Sequence, residues 1–395
     1  MNLVWTTYCF GGFLFAVLLA GKASVAAEPY IPEDPQAVVA RLPASLVRMA
    51  PEGRDGLQGP QRMARVRDAS LAYVEEGLRS GDARYFGYAL ALLNPLLSDT
   101  RVPTELLLPL AMVQQARHEF GQALANLADL LQRRPGDLQA WLMRATVLQV
   151  TGDPLLAKND CIKLAVRGSP LLGSTCLAGS AVMTADLPRA YRSLQRAMQS
   201  ATEPDRTMLP WALRSLAGLA EASGEVDAAL QALDQAQAIA PDDVRTLTAR
   251  ADLLLRMQQP AQVLQMIVAD NPVPQLSLRR EIAAKHLGRE VDPVVLDQLR
   301  EMHESAVRRG AELHQREAAL LYLELLERPV EALRLAQENW RTQREFADAW
   351  LVLESARRAG REDGAADVLA WMRDLGNADR RLESLRQSLF REARS

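Results

Sequence analysis

The chain has 395 residues, of which 46 are basic and 49 acidic, giving a formal net charge of −3; 48% are hydrophobic and only 5% aromatic. That length accommodates two or three globular domains or one extended repeat array. Apolar content carried by Leu, Ala and Val suits helix-on-helix packing rather than a β-sandwich, and no basic stripe interleaved with aromatics speaks for a nucleic-acid partner.

Residues 8–21, YCFGGFLFAVLLAG, form an uncharged run followed by Lys22 and the small-residue stretch ASVAA. This predicts a signal peptide over residues 1–27, cut before Ala27 or Glu28, and hence export to a periplasmic compartment. Residues 1–7 contain no Lys or Arg, so a second reading stays open, in which residues 3–21 are kept as an anchor holding the protein near the membrane. Residues 28–60 carry six prolines and three glycines. That spacing predicts an extension, with at most one short helix near residues 38–49.

From residue 61 to 376 apolar residues recur at three- and four-residue steps, the stripe of amphipathic helices, with no strand-like alternation. A first pair is expected over about 60–79 and 83–97. The clearest unit is 210–243, PWALRSLAGLAEASGEVDAALQALDQAQAIAPDD. Leu213, Leu216, Ala217 and Ala220 make one stripe, Gly224 ends it, Val226, Ala229, Leu230, Leu233 and Ala236 make a second, and Pro241 closes it. Units 104–137 and 138–171 share its length and register. Ala111, Ala123, Leu127 and Pro135 in one, and Trp141, Ala145, Gly152 and Ala157 in the other, fall at matching places. The unit from about 171 to 204 keeps Ala178, Ala190 and Leu194, and the one from 244 keeps Leu247, Ala251 and Leu254. Between 275 and 310 the register slips, with helices expected at 276–287 and 293–309. It resumes at 311–344 and ends in a pair at 346–359 and 363–375. Residues 377–395 read as a capping helix or tail.

This thirty-four-residue pattern, with small eighth and twentieth residues, an apolar twenty-fourth and Pro at the thirty-second, resembles the tetratricopeptide repeat (TPR). The match is best over 104–260 and irregular over 275–310. The resemblance implies an all-α, right-handed superhelical solenoid of antiparallel helix pairs, whose concave surface binds a peptide or partner protein. Carried over by register, that surface includes Gln139, Leu142, Trp211, Arg214, Glu221, Arg245, Thr248, Asp252, His314 and Glu317. The stretches HQRE at 314–317 and ENW at 338–340 are similar to those of bacterial TPR proteins, which implies a cell-envelope setting and supplies no activity.

Cys161 and Cys176 lie about equally far from the turn at 168–170. In an antiparallel hairpin this sets their Cα atoms near the roughly 5.5 Å a disulfide needs. Export favours the bond; two buried thiols are the alternative. Among the histidines, His314 and Glu317 share a helix face and His303 is one helix away, but no HExxH or other metal-ligand spacing occurs. No nucleophile elbow and no Gly-rich phosphate loop is present. The sequence therefore predicts a non-enzymatic protein-binding scaffold, with no cofactor and no metal. A membrane-tethered adaptor is the alternative, and a solenoid enzyme built around His303, His314 and Glu317 the more distant one.

Overall fold

The computed structural model describes residues 59–80, 82–97, 101–308 and 315–392. Residues 1–58, which include the expected signal peptide and most of the extension, residues 81, 98–100 and 309–314 with His314, and residues 393–395 lie outside them. Among the described residues the chain forms nineteen α-helices and no strand. They run as antiparallel pairs: α1 (Gly59–Ser80) with α2 (Arg84–Leu93), α3 (Thr104–Ala116) with α4 (Phe120–Arg133), and α5 (Leu138–Val150) with α6 (Pro154–Arg167). Next come α7 (Pro170–Ala181) with α8 (Leu187–Gln199), α9 (Leu209–Ala222) with α10 (Val226–Ile239), and α11 (Val244–Arg256) with α12 (Pro260–Met266). The last pairs are α13 (Pro274–His286) with α14 (Pro293–Arg308), α15 (Gln315–Leu320) with α16 (Pro329–Trp340), and α17 (Phe346–Ala359) with α18 (Ala366–Asp374). A final helix, α19 (Arg380–Glu392), packs on α17. The fold is the TPR-like solenoid that the period implies.

Local chemistry explains the punctuation. Asp137 and Asp243 each stand thirty-fourth in their units, and each carboxylate accepts the backbone N–H three residues on, capping the first helix of the next unit. Pro154, Pro170, Pro260, Pro274 and Pro329 open helices, where a missing N–H is no loss. The turn inside each pair has its own rule. His118, Gly152, Gly224 and Gln258 all stand fifteenth in their units, and all have positive φ, 62°, 88°, 83° and 58°. These units thus take a left-handed residue there whether or not glycine supplies it, whereas the α7–α8 turn over 182–186 contains none. From 258 the next such residues are Gly288 and Glu327. One interval is short because α12 has only seven residues, and the next is long because α14 has sixteen. This is the physical basis of the irregular 275–310 segment.

Neighbouring units approach through small residues. Ala111, Ala145, Ala178, Ala217 and Ala251 are all buried, with at most 3% exposed. Gly173 of α7 faces α6 so closely that a Cβ there would lie 2.2 Å from the Cβ of Ala165. At this tight seam Cys161 and Cys176 form a disulfide with Cα atoms 5.3 Å apart, tying α6 to α7 across a unit boundary. Gln149 braces it, its Nε2 donating to the Cys176 carbonyl and to Ser180 Oγ at 2.8 Å each.

The solenoid also closes on itself. The segment 340–381 lies along the intra-pair turns of five successive units. Gln343 meets His118 at 3.3 Å, and the Arg344 amide donates to the Val150 carbonyl at 2.7 Å. The Trp371 indole N–H points at the Gly152 carbonyl at 3.4 Å. Met183 joins the apolar cluster that contains Trp340, Leu351 and Leu382. Arg381 pairs with Glu221 at 2.8 Å, and Arg256 reaches the Phe346 ring at 5.8 Å.

Candidate functional site

The first helices of the last four pairs, α11, α13, α15 and α17, enclose a cleft of about 320 Å³. Its apolar surface comes from Leu255, Ile282, Leu320, Phe346, Trp350 and Leu351. Helical spacing within each first helix sets these side chains on one face, and unit-to-unit stacking brings the four faces together.

Charged residues line the same cleft, and they are paired. Arg279 of α13 is 5% exposed; its Nε donates to Asp252 Oδ1 at 2.9 Å and its Nη1 lies 3.9 Å from Glu317. Burial opposes the Arg279 charge, but Asp252 and Glu317 outweigh it and hold its pKa above the usual arginine value. Arg316 of α15 donates to Asp348 at 2.6 and 2.8 Å and to Glu345 at 2.6 Å, so that these carboxylates likewise overcome its burial. Asn339 adds a donor to Asp348 at 2.7 Å. Arg358 bridges Glu324 at 2.8 Å and Glu354 at 2.6 Å. Such a wall offers neutralised charge around apolar surface. It suits a short apolar segment of a partner more than a free ion, because breaking one buried pair costs about 3–5 kcal/mol.

The residues predicted from register are distributed differently. Asp252 lines the cleft, and Glu317 sits beside it through Arg279. Glu221 is buried under Arg256, at 2.7 Å, and Arg381, which also stacks 3.5 Å over Phe346. Trp211 and Leu142 are half-buried against the cluster of α3 to α7. Arg214 pairs with Asp243 and contacts Thr246 at 3.1 Å. Gln139 and Arg245 are exposed, Arg245 lying 3.6 Å from Asp243, and Thr248 is half-buried. The site residues that register reasoning missed are Arg279, Arg316, Phe346 and Trp350. A usable signal did exist: Arg256, His286 and Arg358 all stand two residues before a left-handed turn residue and all line the cleft.

His303 and Glu317 do come together, in a second cavity of about 20 Å³ under α14. That is room for about one water molecule. Burial, then the nearby Arg334 charge, pushes the His303 pKa below its ordinary value, while Glu304 and Glu338 pull the other way. Among the described residues no group of three or more His, Cys, Asp and Glu side chains is arranged to hold a metal ion, and no helix is long and apolar enough to cross a membrane.

No family model and no curated protein matches the chain. Solved structures do. A tetratricopeptide repeat protein from Parabacteroides merdae is similar at 14% identity and a TM-score of 0.37, over 75% of this chain and 99% of that one. Yeast Tom70 is similar at 14% identity and a TM-score of 0.39, over 84% of this chain and 78% of its own. Cut9, in the Cut9–Hcn1 hetero-tetramer of the APC/C, is similar at 15% identity and a TM-score of 0.33, over 74% and 62%.

Proposed function

We propose that this protein is a non-enzymatic scaffold that binds another protein by taking a short, largely apolar segment of it into the cleft between α11, α13, α15 and α17. One observation carries the reading: the cleft joins six apolar side chains from four helices to a rim of paired charges, at about 320 Å³. Clefts of roughly 300 Å³ and above are the usual size for seating a compact ligand group. The contrast with the His303–Glu317 cavity supports a binding role over catalysis, since about 20 Å³ leaves no space for a substrate beside those two side chains.

The setting that the leader supports is the cell envelope, with the solenoid in the periplasm. A disulfide between two buried cysteines fits an oxidising compartment. N-terminal sequencing of the protein from its host separates the two forms. A start at Ala27 or Glu28 means a released scaffold, and an intact residue 3–21 segment means a tethered adaptor.

The binding reading is tested by selecting peptides from a displayed random library on the full chain and mapping the best of them by hydrogen exchange. Protection is expected at 252–258, 279–286 and 346–351. Protection confined to the exposed surface around Gln139 and Arg245 would place the site outside the cleft and overturn the reading.

A further inference from the structure

A further chamber, of about 260 Å³, lies where the solenoid meets itself. The first two pairs line one side of it, and α13, α15 and the segment after α16 line the other. Leu78, Ala83, Phe86 and Ala116 make an apolar wall. The polar side carries three amides, Gln115, Gln275 and Gln343, together with His118, Arg316 and Glu317. Three of these groups have hydrogen-bonding capacity left over among the described residues. Arg316 commits Nε and Nη2 to Asp348 and Glu345, which leaves Nη1 open. Glu317 accepts no hydrogen bond, its ion-pair partner Arg279 standing 3.9 Å away. Gln275 Oε1 is buried with no donor, and a half-turn of the amide would offer it to the chamber.

Charge narrows what fits. One guanidinium and one carboxylate line the chamber, Arg316 and Glu317. Behind them the two guanidiniums of Arg279 and Arg316 stand among four carboxylates, Asp252, Glu317, Glu345 and Asp348. That surplus repels an anion such as phosphate or a free carboxylate. A compact cation wants several carboxylate oxygens, and Glu317 alone supplies them within the lining. A neutral molecule remains, with hydroxyls that both donate and accept, as amides do, and an apolar face to lie on Phe86 and Leu78. At roughly 30 Å³ per water, 260 Å³ is the share of about nine waters, room for one six-membered ring and its hydroxyls. We propose that this chamber binds a single neutral sugar ring. Such a ligand touches the first two pairs and α13 and α15 together, so it holds the solenoid closed. The site is separate from the partner cleft, although Arg316 borders both.

The test is a titration of the full chain by ligand-observed NMR with glucose, galactose, mannose and N-acetylglucosamine. Each is used free and as its methyl glycoside, which tells a free sugar from the end of a glycan. At least one should saturate with a dissociation constant of about 1 mM, the strength expected of a ligand of about a dozen atoms. Glu317→Gln, which keeps the shape and removes the charged acceptor, should weaken that sugar about tenfold. Ala116→Arg, which fills the chamber, should abolish saturation, whereas Ala347→Arg in the partner cleft should leave it unchanged. With the sugar at about ten times its dissociation constant, exchange of the Arg344 amide beside Gln343 should slow about tenfold, because only the closed solenoid binds it. Failure of every sugar to saturate by about 50 mM would overturn the assignment. So would a sugar that ignores both Glu317→Gln and Ala116→Arg, or leaves Arg344 exchange unchanged. Tighter binding of glycine or inorganic phosphate at the same chamber would overturn the ligand class.

Discussion

Replacing Gly152 by alanine tests whether the solenoid closes on itself. Gly152 has φ of 88°, so any Cβ there costs about 1–2 kcal/mol in backbone strain. Here the Cβ would also stand 2.7 Å from Arg344 Cδ and 3.0 Å from Arg344 Cβ. Arg344 must retreat, and it carries the amide that donates to Val150 at 2.7 Å. Losing that bond costs about 0.5–1.5 kcal/mol, and the Trp371 contact with the Gly152 carbonyl weakens with it. Gly288→Ala is the matched control: φ is 69°, but nothing lies within 4 Å of the added carbon. Gly152→Ala should therefore cost about 1–2 kcal/mol more than Gly288→Ala. Native-state hydrogen exchange reads the difference locally. Exchange of the Arg344 amide should speed up about tenfold in Gly152→Ala and stay unchanged in Gly288→Ala. Equal exchange at Arg344 in both variants would refute the closure.

Three further outcomes follow from the packing. Ala217→Leu, at a position 3% exposed, should force adjacent helices apart and cost about 1–3 kcal/mol in urea unfolding, whereas the same change at exposed Gln139 should be nearly silent. Reducing the disulfide, or replacing Cys161 and Cys176 together by serine, should cost about 3 kcal/mol for so short a loop; alkylation under denaturing, non-reducing conditions should leave both cysteines unlabelled. His303 has a folded-state pKa below its unfolded value of about 6.5, so the unfolded chain takes up that proton first. Its contribution is full above that value and is lost as pH falls toward the folded pKa, and His303→Gln should flatten the dependence of the urea midpoint on pH between 7.5 and about 5.

The solenoid was readable because its evidence is local. Ala111 and Ala145 stand thirty-four residues apart, as do Ala217 and Ala251, and each is buried where the period puts it. The pairing of Cys161 with Cys176 was readable for the same reason, since equal distance from one turn is enough to juxtapose them. The turns were only half readable. Gly152 and Gly224 announce a left-handed residue, but His118 and Gln258 adopt the same backbone with no glycine to mark it. The slip over 275–310 was legible, but how each turn there resets the register was not, and that hid the inward face of α13 and all of that of α15 except Glu317. Arg279 and Arg316 were lost in this way. Phe346 was lost for a different reason: Arg381 and Arg256 reach its ring from other units, contacts distant in sequence that no period encodes. The burial of Glu221 has the same origin. Its register is that of an inward residue, yet Arg381 of α19 reaches it from far along the chain and covers it together with Arg256.

The claim that a partner segment occupies the cleft meets its most direct test in one titration. Ala347 lines the cleft, and Ala347→Arg places a long charged side chain in the space the partner needs. Arg245→Glu changes an exposed charge outside it. Measured by calorimetry with a peptide selected on the wild-type chain, affinity should fall at least tenfold in Ala347→Arg and hold within about twofold in Arg245→Glu. Unchanged binding to Ala347→Arg, or loss only in Arg245→Glu, would contradict the cleft as the binding site.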